Sequence, residues 1–535
     1  MAFNRTGIMI DCSRNAVLSP KATKRFIDII AELGYNALML YTEETYEVDN
    51  EPFFGHQRGR YSKAEMKELD AYAKEKGVEL IPCIQTLAHL ERLMRWRCYQ
   101  KIRDCGDILL AGEERTYELI ENMFKTIAEC FTTRTMNIGM DEAWLLGRGT
   151  YFDRHGAQNR VDILMDHLLK VSEIAKKYGF ELQMWGDMFF HLANAGGYHN
   201  FGSSIPDDVA KEISAKIPDN VTLVYWDYYS KDKTRYDNRM RDFQKLDPDT
   251  AFAGGFWTWV GATPKNAYSL DVSRAAVESC KEQGVKDVFF TMWGDCGGEC
   301  SRFALLPTIF YVAGMLKGKT DDEIKAEFEK KYNIAFDDFM LLDLPYYPGT
   351  NANPERYFLY NDLFLGRFDA YVQGTENAWF ADMADKLRPF ENHEEFGYLF
   401  TTQRTLCDVL AIKVELGVKT RKAYLEKDFD TIKELIGEYS TLMEKVEDFY
   451  EAMQYQWMAE NKPHGFDVQD IRLGGLKQRI AHCTERLEDL VSGEIDRIEE
   501  LEEPVLHPFG EDYEAKPSAF FYTEWQYNVS PNSFW

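Results

Sequence analysis

What the chain has little of narrows the field first. No stretch approaches the eighteen or more apolar residues of a membrane-spanning helix, so no membrane partner is expected. The opening residues, MAFNRTGIMIDCSR, lack a basic flank leading into an apolar segment of signal length, and cytoplasmic residence is the expectation. Ten cysteines in 535 residues are too sparse for a disulfide scaffold. Cys296 and Cys300 have neither a second thiol pair nor a histidine beside them, so reduced thiols and no metal are expected. Basic residues are also scarce: 62 Lys and Arg face 89 Asp and Glu, a formal charge of −27. That balance opposes a general nucleic-acid or anionic-membrane partner. The segment GMDEAWLLGRG has glycines but neither the phosphate-loop lysine pattern nor GxGxxG, and no organic cofactor is implied.

What is present is a foldable chain, 45% hydrophobic and 14% aromatic. Its length calls for more than one domain, or a large one with an appended module. Gly7 to Arg14, GIMIDCSR, reads as a strand, Pro20 to Leu33 as a helix and Tyr35 to Glu43 as a second strand. Ser62 to Lys76, Glu114 to Cys130 and Val161 to Lys177 read as helices, each ahead of a strand at Val78 to Thr86, Thr133 to Met140 and Phe180 to Asp187. Val221 to Tyr228, Ala251 to Val260 and Asp287 to Asp295 complete the series. Eight apolar strands, most separated by helices, predict an α/β fold: a (β/α)8 TIM barrel over residues 1–320. A seven-stranded or broken barrel follows if Ala251 to Val260 is a loop, and periodicity alone leaves a doubly wound sheet open. After residue 320, Asp321 to Tyr332, Thr402 to Ala423, Asp430 to Tyr450 and Asp470 to Glu500 read as helices, and Leu344 to Arg356 as interrupted. Residues 321–535 are thus expected to form a mostly α-helical C-terminal domain. The aromatic segment Phe520 to Trp535, with Trp525 and Trp535, is expected to be buried against this chain or a second copy, which makes a homodimer compatible with the sequence.

In a barrel, catalytic residues gather at the C-terminal strand ends whatever their separation in sequence. Here those ends carry Asp11, Arg14, Glu43, Gln85, His89, Asp141, Glu142, Trp185, Asp187, Tyr225, Asp227, Trp257, Trp259, Trp293 and Asp295. Carboxylates among indoles suit a polar ligand with apolar faces, of which a sugar is the obvious case. The stretch TMNIGMDEAW, Thr135 to Trp144, stands out because two adjacent carboxylates end an apolar run. An acidic helix N-cap is the structural alternative. Cleaving a glycosidic bond needs a proton for the leaving oxygen and stabilisation of a positive centre, which paired carboxylates in different environments supply. The longer Glu142 has the reach for the acid, and Asp141 would stay ionised.

The chain resembles glycoside hydrolase family 20, the beta-N-acetylhexosaminidases, above all compact bacterial members without a separate N-terminal domain. The resemblance rests on DCSR at Asp11 to Arg14, GMDEAW, WGD at Trp185 to Asp187, YWD at Tyr225 to Asp227 and WGD at Trp293 to Asp295, with YFLYND at Tyr357 to Asp362 in the helical region. It implies a retaining exo-acting enzyme that removes terminal beta-linked N-acetylglucosamine or N-acetylgalactosamine from a small oligosaccharide or glycoconjugate. Glu142 would protonate the leaving oxygen, the substrate's 2-acetamido oxygen would attack the anomeric carbon, Asp141 would orient the amide nitrogen, and Tyr225 would donate to the amide oxygen. Arg14 and Asp295 would hold sugar hydroxyls and Trp293 the floor. Trp185 with Trp257 or Trp259 would enclose the acetamido methyl. His89 would orient Asp141 or another acid, Asp187 belongs with the sugar-binding residues, and Asp227 would bind a hydroxyl or support Tyr225. The family places a glutamate where Asp295 stands; Glu299 would make up the missing reach. From the residues themselves, His56 and Arg58 in GHQRGRY either line the mouth or belong to a structural turn. Two other readings compete: a conventional retaining glycosidase with Asp187 or Asp227 as nucleophile, and a non-catalytic amino-sugar-binding protein.

Overall fold

The computed structural model describes residues 3–193, 204–348, 353–507, 510 and 523–527. The chain forms two compact units, one of Met1–Trp257, Asn266–Trp293 and Thr308–Ile324, the other of Thr258–Lys265, Gly294–Pro307 and Lys325–Trp535. Among the described residues no helix is long and apolar enough to cross a membrane.

The first unit is a closed barrel of parallel strands in sequential order: β1 Arg5–Asp11, β2 Ala37–Glu43, β3 Glu79–Ile84, β4 Thr135–Asn137, β5 Glu181–Trp185, β6 Val221–Trp226, β7 Ala251–Gly255 and β8 Asp287–Met292. Closure comes from β1 pairing with β8, Gly7 opposite Phe289. A Cβ on Gly7 would lie 2.7 Å from the Phe289 ring and 2.9 Å from the Ala37 carbonyl, so the seam admits only glycine without a shift. The strands are buried on both faces, as helix-covered parallel strands must be; every residue of β2 is buried. The broken-barrel and open-sheet alternatives are thereby removed, although β7 keeps only the first half of the expected Ala251 to Val260 run.

Local chemistry sets the helix boundaries. The Ser19 side chain accepts from the Ala22 amide ahead of the helix Pro20–Leu33, proline occupies its first turn, and Gly34 ends it at φ 91°. Before Lys63–Glu75, Ser62 and Glu65 form a reciprocal capping box. Helices Glu114–Cys130, Arg160–Lys177, Lys233–Leu246 and Asn266–Glu282 follow β3, β4, β6 and β7.

The second unit is mostly helical. Its long helices are Gly397–Glu426, Phe429–Glu460 and Phe466–Ser492. In Phe429–Glu460 the buried residues Ile432, Leu435, Tyr439, Leu442, Val446, Phe449 and Met453 alternate three and four apart, a single apolar seam. Leu473, Leu476, Ile480, Cys483, Leu487 and Leu490 repeat the pattern in Phe466–Ser492. The helix Glu376–Leu387 has no counterpart in the sequence reading. Pro354 opens the short helix Pro354–Tyr360, which is why Leu344 to Arg356 is not one continuous helix. Of the aromatic segment Phe520 to Trp535 only Thr523 to Tyr527 is described, and Trp535 lies outside the described residues. Trp525 is fully buried, stacked on Tyr360 with centroids 5.0 Å apart, with the Arg356 and Arg472 guanidinium groups 4.7 and 5.0 Å from its ring.

Replacing Gly7 by valine forces a branched side chain into the β1–β8 seam and should cost about 1 to 3 kcal/mol of stability. A lowered denaturation midpoint checks this; an unchanged midpoint would show that the seam yields.

Candidate active site

The site is built on the turn after β4. Asn137 ends the strand by accepting a hydrogen bond from the Gly139 amide (2.8 Å). Gly139, Met140 and Glu142 then take positive φ, 72°, 71° and 52°. For residues with a side chain that conformation costs ~1–2 kcal/mol each, and such strain persists where the surroundings over-determine it. Two side chains do so. Gln85 Oε1 accepts from the Met140 amide (3.1 Å), and Asp187 Oδ2 accepts from the Glu142 amide (3.0 Å). A Cβ on Gly139 would sit 2.1 Å from Gln85 Oε1, so the turn needs glycine there twice over. The expected strand through Met140 stops at Asn137 for this reason.

The turn sends the two carboxylates into different surroundings. Asp141 is buried: Gln85 Nε2 donates to Oδ1 (2.7 Å), and His89 Nε2 lies 3.3 Å from Oδ2. Glu142 keeps 30% of its side chain exposed, with Oε2 3.7 Å from His89 Nε2. Burial alone would raise the Asp141 pKa, but the His89 charge and the hydrogen bonds from His89 and Gln85 outweigh it and hold the carboxyl below its usual range. Burial likewise opposes protonation of His89, and Asp141 overcomes it, raising the imidazole pKa. At neutral pH the two form an ion pair. The His89 backbone is pinned at φ 57°, its amide donating to Asp107 Oδ2 (2.7 Å).

Asp187 behaves oppositely. It is fully buried and accepts from Trp226 Nε1 (3.3 Å) as well as from Glu142. Burial, then the neighbouring Asp141 charge, push its carboxyl up to about 8, so it is mostly neutral at pH 7.

On the other side of Gln85 its amide donates to the Tyr41 hydroxyl (3.0 Å), which donates to Glu43 Oε1 (3.0 Å). Arg14 Nη1 lies 3.2 Å from Glu43 Oε1 and 3.9 Å from Asp11 Oδ2, so it bridges carboxylates while 28% of its side chain stays exposed. Trp293 stands edge-on to Tyr41 at 4.8 Å and lies 6.1 Å from Trp185. Arg14, His89, Asp141, Glu142, Trp185, Asp187 and Trp293 therefore assemble at one mouth. Tyr41, Glu43, Gln85 and Trp226 join them without having been assigned a role from sequence. The signal for Gln85 was its place two residues after Cys83, on the same side of β3.

Tyr225 and Glu299 stand elsewhere than expected, and Asp227 takes the second of its two expected roles. Tyr225 turns to the helix layer: its ring stacks on Phe243 of Lys233–Leu246 at 4.9 Å and its hydroxyl donates to Asp227 Oδ2 (2.9 Å). Its neighbour Trp226 is the residue that points to Asp187. Asp227, bonded also to Arg235 Nε (2.7 Å), supports Tyr225 and is too buried to take a sugar hydroxyl. Glu299 does not extend the reach of Asp295, because it is buried and bound by Arg356 and, at 2.9 Å, Arg472. Trp257 donates its indole N–H to the Tyr228 carbonyl (3.0 Å). Trp259 and Asp295 fall in the second unit. Among the described residues no three His, Cys, Asp or Glu side chains are grouped as a metal site requires.

Residues 3–239 match the model of the glycosyl hydrolase family 20 catalytic domain, and residues 337–519 that of the glycoside hydrolase 20C C-terminal domain. The chain belongs to glycoside hydrolase family 20. Hexosaminidase D of Bos taurus is 23% identical over 260 residues, 46% of this family 20 chain and 68% of that protein. Hexosaminidase D of Homo sapiens is 24% identical over 205 residues, 37% of this chain and 39% of that one, so the match spans well under half of the human relative. The solved beta-N-acetylhexosaminidase of Bacteroides fragilis is 18% identical with a TM-score of 0.46, covering 62% of this chain and 69% of that one.

The ion pair has a pH signature. Asp141, lowered on folding, adds stability above its unfolded pKa that is lost as pH falls through the folded value; His89, raised, adds stability below its unfolded pKa that is lost as pH rises through the folded one. The stability difference between wild type and His89→Gln should be largest between about pH 4 and 6.5 and shrink on both sides. Denaturant titrations across pH measure it, and a pH-independent difference would mean the pair is not charged.

Proposed function

We propose that the protein is a retaining exo-beta-N-acetylhexosaminidase that uses the substrate's own 2-acetamido group as nucleophile. One observation carries the reading: adjacent carboxylates at the β4 end, Asp141 held ionised by His89 and Gln85, and Glu142 left partly open. Glu142 protonates the glycosidic oxygen as the acetamido oxygen attacks the anomeric carbon, giving an oxazolinium-type intermediate. Asp141, buried and charged, accepts the amide N–H and offsets the positive charge growing there. Glu142 then takes a proton from the attacking water, and two inversions leave the configuration retained.

The conventional retaining mechanism finds no support in the carboxylates it would need. Asp187 is neutral and bonded through both oxygens, and Asp227 is bound to Tyr225 and Arg235. With Tyr225 turned outward, we assign the hydroxyl that steadies the acetamido oxygen to Tyr228. Its ring stacks on Trp226 at 5.6 Å and 25°, beside the indole that bonds Asp187. Arg14, Trp185 and Trp293 hold the terminal sugar in this reading. A cytoplasmic setting belongs to the same proposal, supported by the nine described cysteines being free thiols.

Matched aryl beta-glycosides with and without a 2-acetamido group test the mechanism, with NMR detection of the first anomer released. Hydrolysis confined to the acetamido substrate with retention is expected; equal rates on the 2-hydroxy substrate would overturn it. Glu142→Gln should lose roughly 10²- to 10⁴-fold, less with a very good leaving group. Tyr228→Phe should lower kcat by about 10²-fold, whereas Tyr225→Phe should cost only about 1 kcal/mol of stability. The reverse pattern would restore Tyr225 to the site.

A further inference from the structure

Two loops at the strand ends carry a cluster that the hydrolytic machinery leaves unused. From Leu90 to Arg103 there are five Lys and Arg residues and one acidic residue, in a chain whose formal charge is −27. The short helix Glu91–Met94 begins two residues after His89. Arg95 pairs with Glu91 (3.1 Å), and Arg58, from the loop after β2, pairs with Glu44 (2.9 Å). Arg92 is half-buried and, among the described residues, makes no hydrogen bond or close ion pair, with Glu91 and Glu44 acting on it only at longer range. Burial, then the charges of Arg95 and Arg58, press its guanidinium below the usual arginine range.

The same loops bring aromatic rings together, with Trp96 four residues after Arg92. Trp96 lies 5.0 Å from Phe53 and 5.5 Å from His56, and Phe53 is 42% exposed. Exposed rings in contact offer a face to the C–H side of a pyranose. A guanidinium in the same loop, its N–H donors not engaged in hydrogen bonds, suits a carboxylate or sulfate, which it binds through two parallel N–H donors. The cluster is tied to the reaction centre through His89, 3.7 Å from the Glu142 carboxylate that faces the leaving oxygen.

We propose that Trp96, Phe53 and His56 with Arg92 form a leaving-group subsite that selects an acidic sugar next to the terminal amino sugar. The inference rests on the hydrolytic reading above and names the substrate class for it. An acidic protein repels acidic glycans at long range, so a local cation whose donors are not taken up by hydrogen bonds within the protein favours docking of such a glycan.

The test compares three disaccharides with the same terminal beta-linked N-acetylglucosamine, on glucose, on glucuronic acid and on glucose sulfate. In wild type, kcat/KM for an acidic disaccharide should exceed that for the neutral one by about tenfold at low salt, one charge-assisted contact's worth. The preference should shrink as ionic strength rises. Whichever acidic arm shows it identifies the anion. Arg92→Gln should bring the acidic-to-neutral ratio near one and Arg92→Lys should keep part of it; a ratio within one preparation is unaffected by the fraction of protein folded. A wild-type ratio near one, or a ratio unchanged in Arg92→Gln, would overturn the subsite. A wild type that hydrolyses aryl 2-acetamido glycosides without acidic preference fails this inference alone, whereas one that hydrolyses none fails the hydrolytic reading too.

Discussion

Keeping Asp141 ionised where water is nearly absent is the constraint on which the mouth of the barrel depends. An isolated buried carboxylate would simply take up a proton. Here the charge survives because an imidazolium and an amide N–H meet its two oxygens, and both donors come from the loop after β3 rather than from Asp141's own strand. The same Gln85 that donates to the carboxylate accepts from the backbone amide of Met140, so one side chain sets the charge and the unusual backbone together. The left-handed turn is thus the geometry that lets two sequence neighbours face different environments.

That arrangement also separates the acids in role. Asp187, close to Asp141 and Glu142, stays neutral because a second buried charge would have no counter-ion. It holds the Glu142 amide and the Trp226 indole instead. A buried neutral carboxyl is a poor nucleophile, and in the proposed reaction the attack on the anomeric carbon falls to the substrate. Glu43 follows the same logic: burial raises its pKa to about 7, partly offset by Arg14. Of Asp141, Asp187 and Glu43, Asp141 is the one whose carboxyl is held below its usual range, and His89 is the main group that does so.

Much of the fold was legible because its elements are long, strongly patterned and capped by recognisable residues, such as Ser19, Gly34 and the Ser62–Glu65 box. Pairing of Asp141 with Glu142 and the surrounding WGD motifs marked the site. Tyr225 was misplaced for a definite reason. A strand buried on both faces has no polar side to reveal which parity points inward, and Tyr225 and Trp226 are equally apolar neighbours. Glu299 was misjudged because its partners, Arg356 and Arg472, lie far along the chain. Gln85 carried no role because an amide has no chemistry of its own; its importance comes from what it touches.

The order of strands and helices, their approximate limits, the acidic balance and the Asp-Glu pair at a strand end follow from the amino-acid sequence alone, since periodicity, capping and composition are local properties. Which side of β6 faces the mouth and which carboxylate keeps its charge were decided only by tertiary structure. Those outcomes depend on burial and on contacts between residues tens to hundreds of positions apart, and electrostatic free energy inside a protein is a property of surroundings rather than of residue type.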